Sequence, residues 1–106
     1  MDDKVVVSLT TVHETDSLII QQLGRNLWIN GKESRLSPLE KQLLVHLIQH
    51  AGKTLSHKRL KAHLYPDGRK VDPKMIAILV SKLRRKLRGA ASLLETVRGE
   101  GFVWKT

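Results

Sequence analysis

Two sets of side chains in this sequence could do chemistry: paired histidines and a dense group of cations. His46 and His50 stand four apart, a spacing that puts both imidazoles on one helical face and that metal sites use. Leu47 occupies the position where a zinc protease needs its glutamate, and there is no cysteine to complete a thiolate site. Two packed or solvated helix histidines are expected, with no metal and no cofactor. The cations are organised differently. Residues 53–106 hold 14 Lys+Arg against 4 Asp+Glu, whereas residues 1–52 hold 5 against 6, so the net charge of +9 divides into +10 and −1. So one-sided an excess is an electrostatic footprint for a polyanion. Cutting nucleic acid would need a His, Asp or Glu constellation beside that surface. His57, His63, Asp67, Asp72, Glu95 and Glu100 form no such motif, and no catalytic residue is assigned.

The cations must be positioned by secondary structure, and the clearest element is a basic amphipathic helix over residues 73–88. At roughly 100° per residue, Ile76, Val80, Leu83 and Leu87 fall on one side as a core stripe. Lys74, Ser81, Lys82 and Arg85 cluster around Ile78 on the other side, with Ala77 and Arg88 slightly further round. Asp72 followed by Pro73 reads as a cap and first helical residue, and Gly89 as the stop. Thr96-Val97-Arg98-Gly99-Glu100-Gly101-Phe102 then reads as a basic hairpin, with strands over 94–98 and 102–105. A membrane-lying helix would need its apolar face exposed, and here that face is committed to a core. Duplex DNA, with a groove and flanking phosphates, is the better match.

The rest of the chain frames this pair. At 106 residues a single domain over 1–106 is expected. No stretch approaches the ~20 apolar residues of a membrane span, and no secretory leader is expected. A reducing cytoplasmic, nucleoid-associated setting is expected. Residues 1–36 read as β-structure, with runs at Val5 to Leu9, Leu18 to Leu23, Arg25 to Ile29 and Glu33 to Leu36. Asn30-Gly31 is a hairpin signal, and Trp28 is expected to point into the core. Ser37-Pro38-Leu39-Glu40 opens a helix with a capping box, its apolar face running from Leu39 to Ala51 and its end at Gly52. A second helix follows the Ser56 cap and stops before Pro66-Asp67-Gly68. The fold class is α+β: a winged helix-turn-helix with an N-terminal antiparallel β-sheet, three helices and a C-terminal β-hairpin wing over 37–106.

From about Leu18 to Lys105 the chain resembles the DNA-binding effector domain of the OmpR/PhoB family of two-component response regulators. Leu36-Ser37-Pro38-x-Glu40 with Leu43-Leu44, Leu55-Ser56 with Leu60, and Leu83-Arg84-Arg85-Lys86-Leu87 resemble that family's three helices. Thr96-Val97-Arg98-Gly99-x-Gly101-aromatic is similar to its wing signature. The resemblance, with the helical wheel, makes Ala77, Ile78, Ser81 and Lys82 candidates for base edges in the major groove. It places Arg98 in the minor groove, and Lys58, Arg59, Tyr65, Lys74, Arg84, Arg85 and Thr96 against phosphates. It further implies double-stranded DNA as partner, two copies on repeated half-sites, and contact with RNA polymerase through the 65–72 loop. Many members carry Asp-Val-His-Ile where this chain has Ala77-Ile78-Leu79-Val80, which puts the target sequence, not the family, in question. The same fold serves RNA-binding and protein-docking modules, and a small basic nuclease is a third alternative.

Overall fold

Asn30 and Gly31 take φ of 49° and 82°, the pair of positive values that lets a two-residue turn match the twist of its strands. They join β3 (Asn26–Ile29) to β4 (Lys32–Arg35). The Asn30 side chain also accepts from the Ile19 amide and donates to the Ser17 carbonyl, fixing the preceding turn. The computed structural model of the protein describes residues 10–105. In it β1 (Thr10–Glu14), β2 (Ile19–Leu23), β3 and β4 form an antiparallel meander in chain order. A register shift between Thr11 and His13 breaks the β1–β2 ladder. The strand expected at Val5–Leu9 lies outside the described residues, and Thr10–Glu14 was not foreseen as one.

Trp28 corrects the expected facing of this sheet. Side chains alternate with a period of two, so Trp28 shares a face with Asn26 and Asn30. Leu27 and Ile29 take the opposite face, with Ile29 directly across from Ile20. Those three are the buried residues, while Trp28 is half-exposed on the outer surface.

α1 (Pro38–Gln49) opens with the expected reciprocal cap: Ser37 Oγ accepts from the Glu40 amide and Glu40 accepts from the Ser37 amide. Leu43, Leu44 and Leu47 face the core. Gly52, at φ 85°, turns the chain so that its amide reaches the Trp104 carbonyl. α2 (His57–Leu64) starts at Ser56, whose hydroxyl accepts from the Arg59 amide, and buries Leu60 and Leu64.

α3 spans Met75–Leu87, shorter at both ends than the expected 73–88. Asp72 and Pro73 do not open it. The Asp72 carboxylate instead caps a preceding turn through the Lys74 amide, and the Asp72 carbonyl takes the Met75 amide. Gly89 is not the stop either: Arg88 takes a positive φ of 54° at the helix end, and Gly89 lies inside a 3-10 segment, Arg88–Leu93. The core stripe of α3 is as expected, with Leu79 added to Ile76, Val80, Leu83 and Leu87.

β5 (Leu94–Val97) and β6 (Gly101–Trp104) form the hairpin. Leu55, between α1 and α2, exchanges two backbone hydrogen bonds with Phe102 and so adds a short third strand. Gly101 lies where this crossing is tightest. Its φ is 150°, and a Cβ there would collide with the Leu55 carbonyl. The helical core thus lies between an amino-terminal sheet and a wing rooted under the α1–α2 connection.

Candidate nucleic-acid interface

α3 has one face buried and one free. Ile78 is 44% exposed, a large apolar side chain left in solvent on a helix whose Ile76, Leu79, Val80, Leu83 and Leu87 are buried. Around it Ala77, Ser81, Lys82 and Arg85 are exposed, as is Lys74 just before the helix. The structure therefore brings the expected base-edge residues of the helix onto one surface with two of the expected phosphate contacts. Lys58 and Arg59 are exposed on the first turn of α2. Arg98 stands at the exposed hairpin tip, where Gly99 takes φ 78° and the Glu100 amide closes onto the Val97 carbonyl. Glu95, a possible partner for Arg98, faces Lys105 at 3.6 Å instead.

Two expected phosphate contacts are engaged elsewhere. Arg84 is half-buried. Its Nε and Nη2 donate to the Leu94 carbonyl at 2.9 and 2.8 Å, and Nη2 donates to Thr96 Oγ1 at 2.7 Å. Its guanidinium carbon lies 5.9 Å from the centroid of the Phe102 ring. A planar fork of donors suits such a clamp, and it joins α3 to the root of the wing. Thr96 is exposed but takes part in the same clamp. Tyr65 is only 9% exposed and packs in the core, with Arg69 over its ring and Arg69 in turn paired with Asp67 at 3.0 Å. Arg84 and Tyr65 thus pack against the protein itself, whereas Lys58, Arg59, Lys74, Arg85 and Thr96 are exposed.

The helical wheel carries a signal for the packing of Arg84. It stands four residues after Val80 and three before Leu87, on the flank of the core stripe, where a long cation snorkels across packed surface. Lys86 occupies the other flank, after Leu79 and Leu83. Its Nζ donates to the Arg35 carbonyl and to Glu40, tying α3 to both β4 and α1. Glu40 is 3% exposed. Burial pushes its carboxyl up, but the Lys86 hydrogen bond and the Ser37 amide outweigh this and hold it below its ordinary value. Sequence showed the capping box but not this second partner, which is 46 residues away.

Beside the interface, between α2 and the start of α3, lies a cleft of about 330 Å³ lined by Val71, Pro73 and Ile76 together with Lys58, Lys61 and Asp72. Among the described residues no group of His, Cys, Asp and Glu is arranged to hold a metal ion, and no helix is long and apolar enough to cross a membrane.

Residues 31–104 match the family described as "Transcriptional regulatory protein, C terminal". The two-component response regulator PhoP of Pseudomonas aeruginosa is 30% identical over 93 residues, covering 86% of this chain and 41% of that protein. The chain therefore spans about two-fifths of the length of that curated relative. The DNA-binding domain of Klebsiella pneumoniae RstA, solved in complex with the RstA box, superposes with a TM-score of 0.68 and 26% identity, covering 88% of this chain and 95% of that one. The DNA-binding domain of Escherichia coli CpxR gives a TM-score of 0.66 and 27% identity over 89% and 95% of the two chains. With its antiparallel sheet, three helices and wing, the chain belongs to the transcriptional regulatory protein C-terminal family, the winged-helix DNA-binding effector domains of OmpR/PhoB-type response regulators.

Proposed function

We propose that this domain recognises a specific duplex DNA sequence by laying the outer face of α3 in the major groove and the wing tip in the minor groove. The observation that carries this reading is the exposed Ile78, with Ser81, Lys82 and Arg85 around it, on a helix buried along its other side. Ala77 and Ile78 would meet thymine methyl groups, Ser81 a donor or an acceptor, and Lys82 a guanine edge. Arg98 would enter the minor groove. Lys58, Arg59, Lys74, Arg85 and Thr96 would hold phosphates, which set register without reading sequence.

The domain acts in this reading as a binding module and not as an enzyme, within a cytoplasmic two-component response regulator. Two copies occupy repeated half-sites about one helical turn apart, so that both recognition helices meet the same face of the duplex. The exposure of residues 66–70 supports the 65–72 loop as a contact for RNA polymerase.

Selection from a random duplex pool, followed by affinity measurements over a salt series, tests the proposal. One enriched motif in two copies is expected, with a slope of log affinity on log salt near −5 to −7, for about 6–8 phosphates neutralised. A slope shallower than about −2 on duplex, or stronger binding to single strands, would overturn it. A footprint covering a single half-site at saturating protein would overturn the paired arrangement alone.

A further inference from the structure

Three histidines the interface does not use come together where α1 meets α2. The rings of His46 on α1 and His63 on α2 are stacked, with centroids 3.7 Å apart and planes within 13°. The ring of His50, the residue that caps the end of α1, lies 4.5 Å from that of His46, and its Nδ1 is 2.9 Å from the His46 carbonyl. Arg59 adds a fixed positive charge from α2, one turn before His63. His46 is half-buried beneath these groups, while His63 is open to solvent.

Stacked neutral imidazoles pack as flat aromatic surfaces. Two imidazolium rings at the same separation repel each other, and Arg59 adds to the repulsion without ever losing its charge. The groups bearing on His46 are His50 from its own helix, and His63 and Arg59 from the helix packed against it. All are cationic or become so in acid, and protonation therefore accumulates like charge at one joint.

We propose that the His46–His63 stack, with His50 and Arg59 around it, is a proton-responsive joint that loosens α2 from α1 in mild acid. α2 is the helix that carries Lys58 and Arg59, so the joint would regulate the interface proposed above through the helix that positions those cations. Burial, followed by the neighbouring His63, His50 and Arg59, holds His46 below its ordinary value of 6.5. The unfolded chain then binds more protons at this position than the folded one. The stability contribution is complete above the ordinary value and is lost as the pH falls through the depressed one.

The test uses the intact chain without DNA, so its failure leaves the DNA-binding reading standing. Thermal unfolding is followed at pH 7.5, 6.5 and 5.5 at constant ionic strength. The midpoint should fall by about 4–8 °C across this range. His63→Gln should remove at least half of that fall, and His13→Gln, in the amino-terminal sheet, none of it. Amide exchange, corrected for its intrinsic pH dependence, should quicken in α2 at low pH before it does in β2 and β3. Proton NMR of the imidazoles in the unmodified chain needs no variant to fold, and should show His46 titrating below the ordinary histidine range. His46 titrating at or above that range would overturn the proposal. So would a fall in midpoint that survives His63→Gln unchanged.

Discussion

The wing and the amino-terminal sheet are both antiparallel, yet they are held in opposite ways. Every residue of β6 is buried, and on the edge away from β5 it meets the Leu55 backbone, which leaves no room for a side chain at Gly101. The amino-terminal sheet has an outer face in solvent, and no residue of its terminal strands β1 and β4 is fully buried. Its turn glycine, Gly31, has open space where a Cβ would go. Charge divides along similar lines, with +10 in the half that carries the wing and −1 in the half that carries the sheet. One sheet is wedged in at its root so that its tip can project. The other is a cover whose inner residues, Ile20, Leu27 and Ile29, close the core.

That contrast can be broken most directly at Gly101. Gly101→Ala should destabilise the domain by at least about 3 kcal/mol, because the obstruction is backbone and cannot swing aside. Gly31→Ala, strained only in φ, should cost about 1 kcal/mol. Comparable losses in thermal unfolding would show that the wing root is no more constrained than the sheet turn.

The tip should respond in binding and not in stability. Arg98→Ala should weaken specific binding by about 1–3 kcal/mol and relax preference for A·T pairs beside the core site, because a narrow A·T groove concentrates negative potential. Affinities on matched A·T-rich and G·C-rich flanks, with the melting temperature as a folding control, check this. Equal losses on both would make Arg98 a phosphate contact.

The amino-terminal side is tied to α3 through Glu40 and Lys86. Glu40→Gln keeps a hydrogen-bonding group at the cap but loses the ion pair, and should cost about 1–2 kcal/mol at pH 7. Since the folded-state pKa of Glu40 lies below its ordinary value of 4.5, its contribution is complete above that value and fades as the pH falls through the depressed one. The gap between Glu40→Gln and the unmodified protein should therefore shrink in denaturant unfolding between pH 7 and pH 3.

Two smaller effects sharpen the picture. Arg85→Ala should weaken specific and non-specific duplexes alike and reduce the salt slope by about one. Trp28→Thr should change stability by less than about 1 kcal/mol, where a tryptophan inside the core would cost about 3–5 when truncated.

How readily each region could be read from sequence follows from the strength of its local pattern. α3 repeats its apolar residues through Ile76, Val80, Leu83 and Leu87, so its inner face and the exposure of Ile78 were both legible. The Ser37–Glu40 cap and the Asn30-Gly31 turn are local chemistry, and both were found. β-strand facing is weaker information, because a single-residue slip reverses every side chain. The inward facing expected for Trp28 treats Asn26 and Asn30 as alternating with it, but positions 26, 28 and 30 share one face of a strand. The helix ends misled for a similar reason: Asp72-Pro73 and Gly89 carry familiar signals, but the chain uses a turn at one end and a positive-φ Arg88 at the other. The contacts of Arg84, Lys86 and Gly101 depend on segments distant in sequence, and a local pattern gives only a hint of them.

Arg84 has one more consequence. By fastening the Leu94 carbonyl and Thr96 to the flank of α3, it makes the helix and the hairpin a single rigid caliper. In the docked arrangement proposed above, the span from Ser81 to Arg98 is then a fixed length that DNA must match. A site lengthened by one base pair between the major-groove core and the A·T flank would leave one jaw of the caliper out of register, however well each half matched alone.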